Sequence, residues 1–187
     1  VIVPSAPARD HLREVGVNTH VEIVPNGVDI ERFAPVGEAE CVAFRERHDL
    51  PDGPLVGYTG RHGFEKRLDA ILDVAPSLDA TVVFGGDGPA RDAVEARAAD
   101  LDADVRFLGF LDREELPAFY ATLDVFAFPS PVETQGLVAL EANACGTPVV
   151  GVNAGALAET VVDGETGYRF DPGDVDDAAR DLAADVA

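Results

Sequence analysis

Residues 124–153 read DVFAFPSPVETQGLVALEANACGTPVVGVN, and this stretch decides the fold. An apolar run at 124–130 predicts a strand, helical spacing at 135–146 predicts a helix, and a second apolar run at 147–153 predicts another strand. A strand, a helix and a strand at this spacing form a βαβ unit, whose two strands are parallel. Both strands are almost continuously apolar, which is typical of a sheet covered on both faces.

The same alternation continues along the rest of the chain. Further strands are predicted at 21–29, 54–60, 80–86 and 104–111, and further helices at 66–78, 88–101, 113–123 and 173–187. The predicted fold class is therefore α/β, a Rossmann-like parallel sheet with helices on both faces. Ligands of such sheets bind beyond the carboxyl ends of the strands, so the strand-to-helix loops are expected to carry the functional residues.

Charge is the most unusual feature of the composition. The 187 residues include 35 acidic and 14 basic side chains, which gives a net charge of −21. Nucleic acids and anionic membranes are poor partners for such a surface. The acidic excess is typical of adaptation to a salty cytoplasm, where a Debye length of ~3 Å at molar salt screens self-repulsion. The sequence shows neither a secretory signal pattern nor an apolar run of membrane-spanning length, so we expect a cytoplasmic location.

The residues that bind metals in proteins do not form a recognisable pattern. Cys41 and Cys145 lie far apart, neither belongs to a CxxC pair, and the four histidines do not cluster. We therefore expect reduced thiols, no metal site and no cofactor.

Cations are scarce, so their positions are informative. Lys66 is the only lysine of the chain, and it follows Arg61 in the loop GRHGFEK that leaves the strand at 54–60. Two cations beside the start of a helix favour the binding of phosphate groups. The alternative is a pair of surface cations, with Lys66 bound to neighbouring Glu65 or Asp69.

Two further loops leave alternatives open. In GGDGPARD, at 85–92, the glycines make room either for a ligand or for a tight turn, and position 91 is not the glycine that a dinucleotide fingerprint requires. In LGFLD, at 108–112, an uncharged segment offers an apolar wall to a flat base, or is an ordinary turn.

Two glutamates flank the start of the helix predicted at 135–146. On a helical wheel Glu141 projects from the apolar side, with no cation three or four residues away, so its carboxylate must find hydrogen-bond donors. The vicinal hydroxyls of a sugar would serve, and the alternative is a buried glutamate satisfied by backbone amides or water. Glu133 precedes the helix and is either functional or a helix-start acid favoured by the dipole. Gly136 and the amides after it form an anion-ready helix start.

Several motifs occur in the order of a known family. IVPNGVDIERFAP at 23–35 is followed by GR-x4-K, GDGP, FLG and an E-x7-E pattern that precedes ACGTPVV. Together they resemble the C-terminal half of the retaining family-4 glycosyltransferases of the GT-B fold, the glycosyl transferases group 1, from about residue 21 onward. The resemblance implies that residues 1–18 are the last strand and helix of an N-terminal acceptor domain. It also implies that 19–187 form the nucleotide-sugar domain, truncated at its C-terminus.

The resemblance also implies roles for individual residues. Arg61 and Lys66 would bind the donor diphosphate, Glu133 would contact the sugar hydroxyls, and these three would carry catalysis without metal. Glu141 would bind the ribose, and the segment Phe110–Leu111 would line the base pocket. The implied donor-binding set is Gly60, Arg61, Lys66, Phe110, Leu111, Glu133, Gly136, Leu137, Val138 and Glu141.

Four positions depart from the family pattern. Thr134 and Gln135 replace a glycine and a phenylalanine, and ETQGLV resembles members that glycosylate lipids, which suggests a glycolipid acceptor. Asn143 replaces a methionine and is expected to affect packing alone. Arg67 stands where glycine is frequent, which makes the conformation of that loop an open question.

Three functions follow from the residues and the resemblance. The first is transfer of a hexose from a nucleotide-diphospho-sugar, with the N-terminal domain as partner and peripheral membrane contact through it. The second is a non-catalytic nucleotide-sugar-binding module. A nucleotide-sugar epimerase is a distant third, because no acid and base pair stands out in the loops. The chain alone is expected to bind a donor and to turn over little of it.

Overall fold

The computed structural model describes residues 1–172, which form two sheets and seven α-helices. The strands are β1 (Ile2–Val3), β2 (Glu22–Ile23), β3 (Leu55–Thr59), β4 (Thr81–Gly85), β5 (Val105–Gly109), β6 (Val125–Phe128), β7 (Val149–Val152) and β8 (Gly167–Phe170). The helices are α1 (Ala6–Glu14), α2 (Glu38–Arg47), α3 (Leu68–Val74), α4 (Arg91–Ala99), α5 (Leu116–Thr122), α6 (Leu137–Ala144) and α7 (Leu157–Thr160).

The main sheet contains six parallel strands in the order β5-β4-β3-β6-β7-β8. From β3 the chain first builds outward through β4 and β5, and then returns to the other side of β3 to build β6, β7 and β8. Strand order therefore reverses between β3 and β6. In a doubly wound sheet this reversal opens a crevice at the carboxyl ends of the two strands. The predicted fold class is confirmed, and the crevice lies between the loops that carry Lys66 and Glu133.

Strand burial explains why the sheet forms. Every residue of β3, β4, β6 and β7 is buried, whereas the edge strands β5 and β8 are partly exposed. The centre of the core is aromatic, with Tyr58 stacked on Phe126 and packed against Phe84 and Phe128. Helices cover the sheet, as near-continuous apolar strands require.

The helix predicted at 66–78 is broken at both ends. A one-turn 3-10 segment occupies Phe64–Lys66, and α3 begins only at Leu68 because Arg67 adopts the left-handed conformation, with φ 54° and ψ 40°. That conformation favours glycine, which explains why glycine is frequent at this position in the family. After Val74, a second 3-10 turn at Ala75–Ser77 contains a proline that has no amide hydrogen to continue the helix.

The sequence analysis did not predict α2, α7 or β8. Helix α2 buries only Phe44, so its apolar periodicity is weak, and α7 is a single turn of four residues. The short strand β8 lies at the sheet edge, and only its first and last residues are buried.

The N-terminal segment forms its own small sheet. Strands β1 and β2 pair in parallel, with Ile2 opposite Glu22 and Val3 opposite Ile23, and α1 connects them. The strand predicted at 21–29 is thus limited to two residues. The domain boundary expected after residue 18 falls between α1 and β2 and stays a prediction. The helix predicted at 173–187 lies outside the described residues.

The α-helices of residues 1–172 are at most ten residues long. None of the helices there combines the length and the apolar character that crossing a bilayer requires.

Candidate functional site

The site lies where the loops after β3 and β6 meet. The Lys66 ammonium is 2.5 Å from Oε1 of Glu133, and the two side chains are only 17% and 13% exposed. Lys66 therefore binds neither Glu65 nor Asp69, the partners considered as the alternative. A partly buried ion pair in a crevice places a donor and an acceptor together for a polar ligand.

Two adjoining cavities form this crevice, and one of them contains the ion pair. The first, which we call the cation cavity, measures about 310 Å³ and contains Lys66 and Glu133 in its wall. The second, the tyrosine cavity, measures about 380 Å³ and contains Tyr120 and Glu141. Their common wall consists of Thr59, Gly60, Arg61 and Val138.

The structure brings the predicted donor-binding residues together around these cavities. Gly60, Arg61, Lys66, Glu133, Gly136, Leu137 and Val138 line the cation cavity, and Gly60, Arg61, Phe110, Leu111, Val138 and Glu141 line the tyrosine cavity. All ten positions therefore face one connected crevice, although the motifs that contain them span 82 positions of sequence, from 60 to 141.

The loop that carries Glu133 is fixed through its carbonyl groups. Ala156 N–H donates to the Glu133 carbonyl at 3.2 Å, and the Thr160 hydroxyl donates to the Gln135 carbonyl at 2.9 Å. The buried Ser5 hydroxyl donates to the Thr134 carbonyl at 2.6 Å. These contacts hold the backbone of the loop, and with it the position of the Glu133 side chain, from two separate parts of the chain, the start of α1 and the turn of α7.

The first turn of α6 lies at the wall of the cation cavity. This helix begins at Leu137, immediately after Gly136, which has φ 71° and ψ 47°. The first amides of a helix have no intrahelical partner and carry part of the positive end of the helix dipole. The chain thus places backbone donors beside the Lys66 ammonium.

Arg61 is exposed and forms an ion pair with Glu65, one helical turn further along the chain. The Arg61 carbonyl accepts a hydrogen bond from the Tyr58 hydroxyl at 3.2 Å, so the start of the loop is tied to the core. Both cations predicted to bind a diphosphate are consequently paired with carboxylates in this structure.

His62 anchors the loop that carries Arg61 to the end of strand β4. Its buried ring makes a 3.0 Å hydrogen bond between Nε2 and the Gly85 carbonyl. Burial lowers the pKa of His62, so the ring is neutral near pH 7 and donates from Nε2 to that carbonyl. His62 is a structural residue of the loop and does not face the cavities.

Glu141 has a protein donor that the sequence analysis missed. The hydroxyl of fully buried Tyr120 donates to Glu141 Oε2 at 2.9 Å, in place of the backbone amides or water considered above. Burial raises the pKa of Glu141, while the Tyr120 hydrogen bond and the charge of Arg113 act in the opposite direction. Burial also raises the pKa of Tyr120 well above 10, so its hydroxyl stays protonated and remains the donor.

The glycines at 85–88 make room for protein backbone. A Cβ atom at Gly88 would lie 2.6 Å from the His62 carbonyl oxygen, and one at Gly86 would collide with the carbonyl of Gly60. This close packing against the loop that carries Arg61 was not among the alternatives considered from the sequence, which were room for a ligand and a tight turn. The loop nevertheless contributes Gly86 and Asp87 to the tyrosine cavity.

The loop at 108–112 provides an apolar wall. The ring of Phe110 is 80% exposed, whereas Leu111 is buried, and both line the tyrosine cavity. An exposed aromatic ring at the mouth of a cavity is suited to stacking on a flat group.

Several lining residues were not predicted. The tyrosine cavity also contains Arg113, Leu116 and Tyr120, and the cation cavity contains Asn26, Tyr58, Phe128, Thr134 and Gln135. Asn26 and Gln135 had a detectable signal, since one belongs to the PNGVD motif and the other departs from the family pattern. Tyr120 had none, because its partner lies 21 residues away and only the fold brings them together.

Metal-binding clusters were sought as groups of three or more His, Cys, Asp or Glu side chains. Residues 1–172 contain no such group. Both cysteines in this range are free thiols, with Cys41 partly exposed and Cys145 buried.

A family model described as glycosyl transferases group 1 matches residues 43–184. The chain belongs to this family. The match covers all six strands of the main sheet and every lining residue of the two cavities except Asn26, and it confirms the resemblance to GT-B glycosyltransferases.

Two relatives of the group 1 chain illustrate the range of the family. A sulfoquinovosyl transferase of Arabidopsis thaliana is 37% identical over 97% of the chain, which corresponds to 36% of the relative. A GDP-mannose-dependent α-(1-6)-phosphatidylinositol monomannoside mannosyltransferase of Mycolicibacterium smegmatis is 39% identical over 91% of the chain and 49% of the relative. The chain thus spans half or less of the length of these relatives.

Among solved structures, Anabaena Alr3699/HepE in complex with UDP and glucose superimposes with a TM-score of 0.88 and 25% identity. The superposition covers 98% of the group 1 chain and 52% of the Anabaena chain. The shared architecture is the six-stranded parallel sheet with its flanking helices.

Proposed function

We propose that the chain is the donor-binding domain of a retaining glycosyltransferase that moves a hexose from a nucleotide-diphospho-sugar to an acceptor hydroxyl. The observation that carries the proposal is the Lys66–Glu133 pair at the strand-order reversal, in a crevice continuous with Glu141. Family membership and the UDP bound by the Anabaena relative support it.

The two cavities fit the two ends of such a donor. The tyrosine cavity would hold the nucleoside, with its base against Phe110 and Leu111 and its ribose hydroxyls on Glu141. The cation cavity would hold the sugar near Glu133. The diphosphate would lie at the common wall, where Arg61 and the backbone of Val138 are within reach and Lys66 lies on the cation side.

The chemistry follows from that placement. As the bond between the anomeric carbon and the phosphate oxygen breaks, its electron pair goes to the leaving nucleoside diphosphate. Lys66 and Arg61 would stabilise that charge, and losing one such donor typically costs ~3–4 kcal/mol of transition-state stabilisation. The acceptor oxygen bonds to the anomeric carbon on the face that the diphosphate leaves, and its proton passes to the leaving phosphate oxygen, so the anomeric configuration is retained. Two side-chain cations would take the place of a metal ion.

The acceptor is proposed to be a glycolipid. The ETQGLV motif suggests this class, and the Mycolicibacterium relative is named as a phosphatidylinositol monomannoside mannosyltransferase. Most of the acceptor site would lie in an N-terminal domain, as would any peripheral membrane contact. The isolated chain would therefore bind donor in a salty cytoplasm but transfer little sugar.

A calorimetric titration with UDP, GDP, UDP-glucose and GDP-mannose tests the proposal. The wild-type chain should bind one nucleotide series in multimolar KCl, and Lys66→Ala should weaken that binding by about tenfold or more, the value of a charge-assisted hydrogen bond. Arg106→Ala is a suitable control. Arg106 is an exposed residue of β5 that pairs with Asp104, and neither residue lines either cavity. Equal affinity in Lys66→Ala and the wild type would contradict the phosphate role.

An activity measurement separates sugar transfer from simple donor binding. A protein that includes the N-terminal domain should form a glycoside from the donor that the chain binds, and proton NMR of the product should show the anomeric configuration of that donor. Tight donor binding with no transfer to any acceptor would favour the non-catalytic module instead.

A further inference from the structure

The cation cavity contains an amide pair that the donor scheme above leaves without a role. Gln135, which is only 7% exposed, accepts two hydrogen bonds at Oε1, from the Asn26 backbone N–H at 2.9 Å and from Asn26 Nδ2 at 2.8 Å. Its Nε2 donates to the Asn26 carbonyl at 2.7 Å. Three hydrogen bonds thus fix both the backbone and the side chain of Asn26.

These contacts also decide which way the Asn26 amide faces. The Gln135 oxygen can only accept, so the atom of Asn26 that faces it must be the NH₂ group. The Asn26 oxygen Oδ1 is then directed away from Gln135. Within residues 1–172 it accepts no hydrogen bond from the protein.

The support beneath this pair is rigid. Gln135 lies in the loop whose carbonyls are held by Ser5, Thr160 and Ala156, and Asn26 follows β2 in the N-terminal segment. Asn26 and Gln135 line the same cavity as Lys66 and Glu133. A side chain fixed by its neighbours and carrying one free acceptor is preorganised for a ligand donor.

We propose that Asn26 is a specificity-determining residue for the donor sugar, and that its Oδ1 accepts a hydrogen bond from one sugar hydroxyl. Gln135 is the positioning residue that holds Asn26 in place. This inference rests on the proposed function, because it requires a sugar in the cation cavity. It explains why a polar residue stands at 135, where the family pattern has phenylalanine.

The chemistry of the cavity favours a hydroxyl over a charged group as the partner of Asn26. Phosphate oxygens have no proton to donate to an amide oxygen at neutral pH, and the cations of the site serve them already. A sugar hydroxyl can donate to Asn26 while a second one donates to the Glu133 carboxylate. A site built around such a hydrogen bond discriminates against sugars that lack the matching hydroxyl.

The test compares Asn26→Ala with the wild type for two ligands, the nucleoside diphosphate and its sugar conjugate. Asn26→Ala keeps the hydrogen bonds of Gln135 to the backbone of residue 26, so the fold is expected to be retained. We expect unchanged affinity for the nucleoside diphosphate and about three- to tenfold weaker binding of the nucleotide sugar, the usual value of one neutral hydrogen bond. Asn18→Ala is the control, since Asn18 is exposed and its side chain donates only to the Gly16 carbonyl.

Two additions identify the interaction. Gln135→Ala should show the same selective loss of nucleotide-sugar affinity as Asn26→Ala. The double variant should lose no more affinity than either single variant, because the two residues act as a unit. A set of donors, each with a different sugar hydroxyl replaced by fluorine, identifies the hydroxyl that Asn26 binds. One of these donors should bind the wild type more weakly than the natural donor does, but should bind Asn26→Ala as tightly as the natural donor binds that variant.

The outcomes separate this inference from the proposed function. If Asn26→Ala weakens both ligands equally, or neither, the sugar role of Asn26 is wrong while nucleotide binding through Lys66 stands. If the wild type binds no nucleotide at all, both proposals are wrong. Should Gln135→Ala fail to fold by circular dichroism, Asn26→Ala alone still decides the sugar role.

Discussion

The ammonium nitrogen of Lys66 lies 2.5 Å from Oε1 of Glu133, across the point where the strand order of the main sheet reverses. The only lysine of the chain is therefore paired before any ligand arrives. A bound diphosphate would replace the carboxylate as the partner of Lys66 and would release Glu133 toward the sugar. Glu133 and Glu65, which pair with Lys66 and Arg61, would therefore compete with the diphosphate for these two cations.

Glu133→Gln should separate the two halves of the donor. Removing the carboxylate frees Lys66, so we expect the affinity for the nucleoside diphosphate to rise severalfold, while the additional affinity contributed by the sugar falls. Calorimetry with a nucleoside diphosphate and its sugar conjugate measures both changes. A parallel loss of affinity for both ligands would mean that Glu133 only supports the fold.

Glu65→Gln should strengthen binding of the nucleoside diphosphate by about two- to fivefold. The exposed Arg61–Glu65 ion pair contributes little to stability, but it neutralises the charge of Arg61, which we propose binds phosphate. Glu95→Gln provides a matched control, since Glu95 forms the same kind of pair with Arg91 one turn away on α4. An equal effect of both substitutions would indicate a general charge effect and not release of Arg61.

Tyr120→Phe should shift the pH dependence of donor binding. The Tyr120 hydrogen bond lowers the pKa of Glu141 against the effect of burial, so its removal raises that pKa further. Ribose binding requires the carboxylate and is lost as the pH falls through this pKa. The midpoint of that loss should therefore move to higher pH in Tyr120→Phe.

The measurement is the affinity for a nucleotide sugar, whose phosphates do not titrate in this range, from about pH 4 to about pH 8. Burial raises the pKa of the neighbouring Cys145 thiol to about 11, so this group stays uncharged over that range. Tyr168→Phe, on β8, should leave the midpoint where the wild type has it.

Glu141→Gln should stabilise the fold while weakening donor binding. Burial raises the pKa of Glu141 in the folded state, so the folded protein binds this proton more tightly than the unfolded chain does. The charged carboxylate therefore destabilises the fold increasingly as the pH rises through the folded pKa. Glutamine keeps an acceptor for the Tyr120 hydroxyl and avoids that charge.

Thermal unfolding checks this prediction at about pH 7.5 and at about pH 3.5, which is below the ordinary pKa of a glutamate. The gain in Tm for Glu141→Gln should be largest at the higher pH and should shrink at the lower one. Glu46→Gln, at an exposed position of α2, should change neither value. A loss of stability at the higher pH would show that the carboxylate is well solvated.

Salt should stabilise the chain. A net charge of −21 makes the folded state repel itself, and KCl screens this repulsion, so Tm should rise steadily as KCl increases into the molar range. Sucrose, which stabilises by exclusion but does not screen charge, should have a smaller effect. A Tm that is insensitive to KCl would contradict the interpretation of the acidic surface.

Local patterns were sufficient for the fold class and for singling out Arg61, Lys66 and Glu141, whereas the full set of ten lining residues was implied by the family resemblance. The strands of the main sheet are buried on both faces, so their apolar runs are visible in sequence, and the scarcity of cations marks Arg61 and Lys66. Glu141 could be singled out because a helical wheel is a local construction. All three conclusions depend only on residues close together in the chain.

Contacts between distant segments could not be predicted in this way. The Lys66–Glu133 pair joins positions 67 residues apart, and the Asn26–Gln135 pair joins positions 109 residues apart. Which side chains meet across such separations depends on strand order and register, which no local pattern contains. Arg67 illustrates the remaining difficulty, because its left-handed backbone contradicts its own preference and is imposed by the surrounding loop.

The close approach of the glycine-rich loop to the loop that carries Arg61 has a consequence for directed evolution of donor choice. A methyl group at Gly88 would lie 2.6 Å from the His62 carbonyl, so even alanine there would push the loop of Arg61 out of place. Libraries that randomise this turn would mostly yield misfolded clones. Phe110 and Arg113, by contrast, are solvent-facing and line the tyrosine cavity, where we propose that the nucleoside binds, so diversity placed there should survive selection and change which nucleotide is preferred.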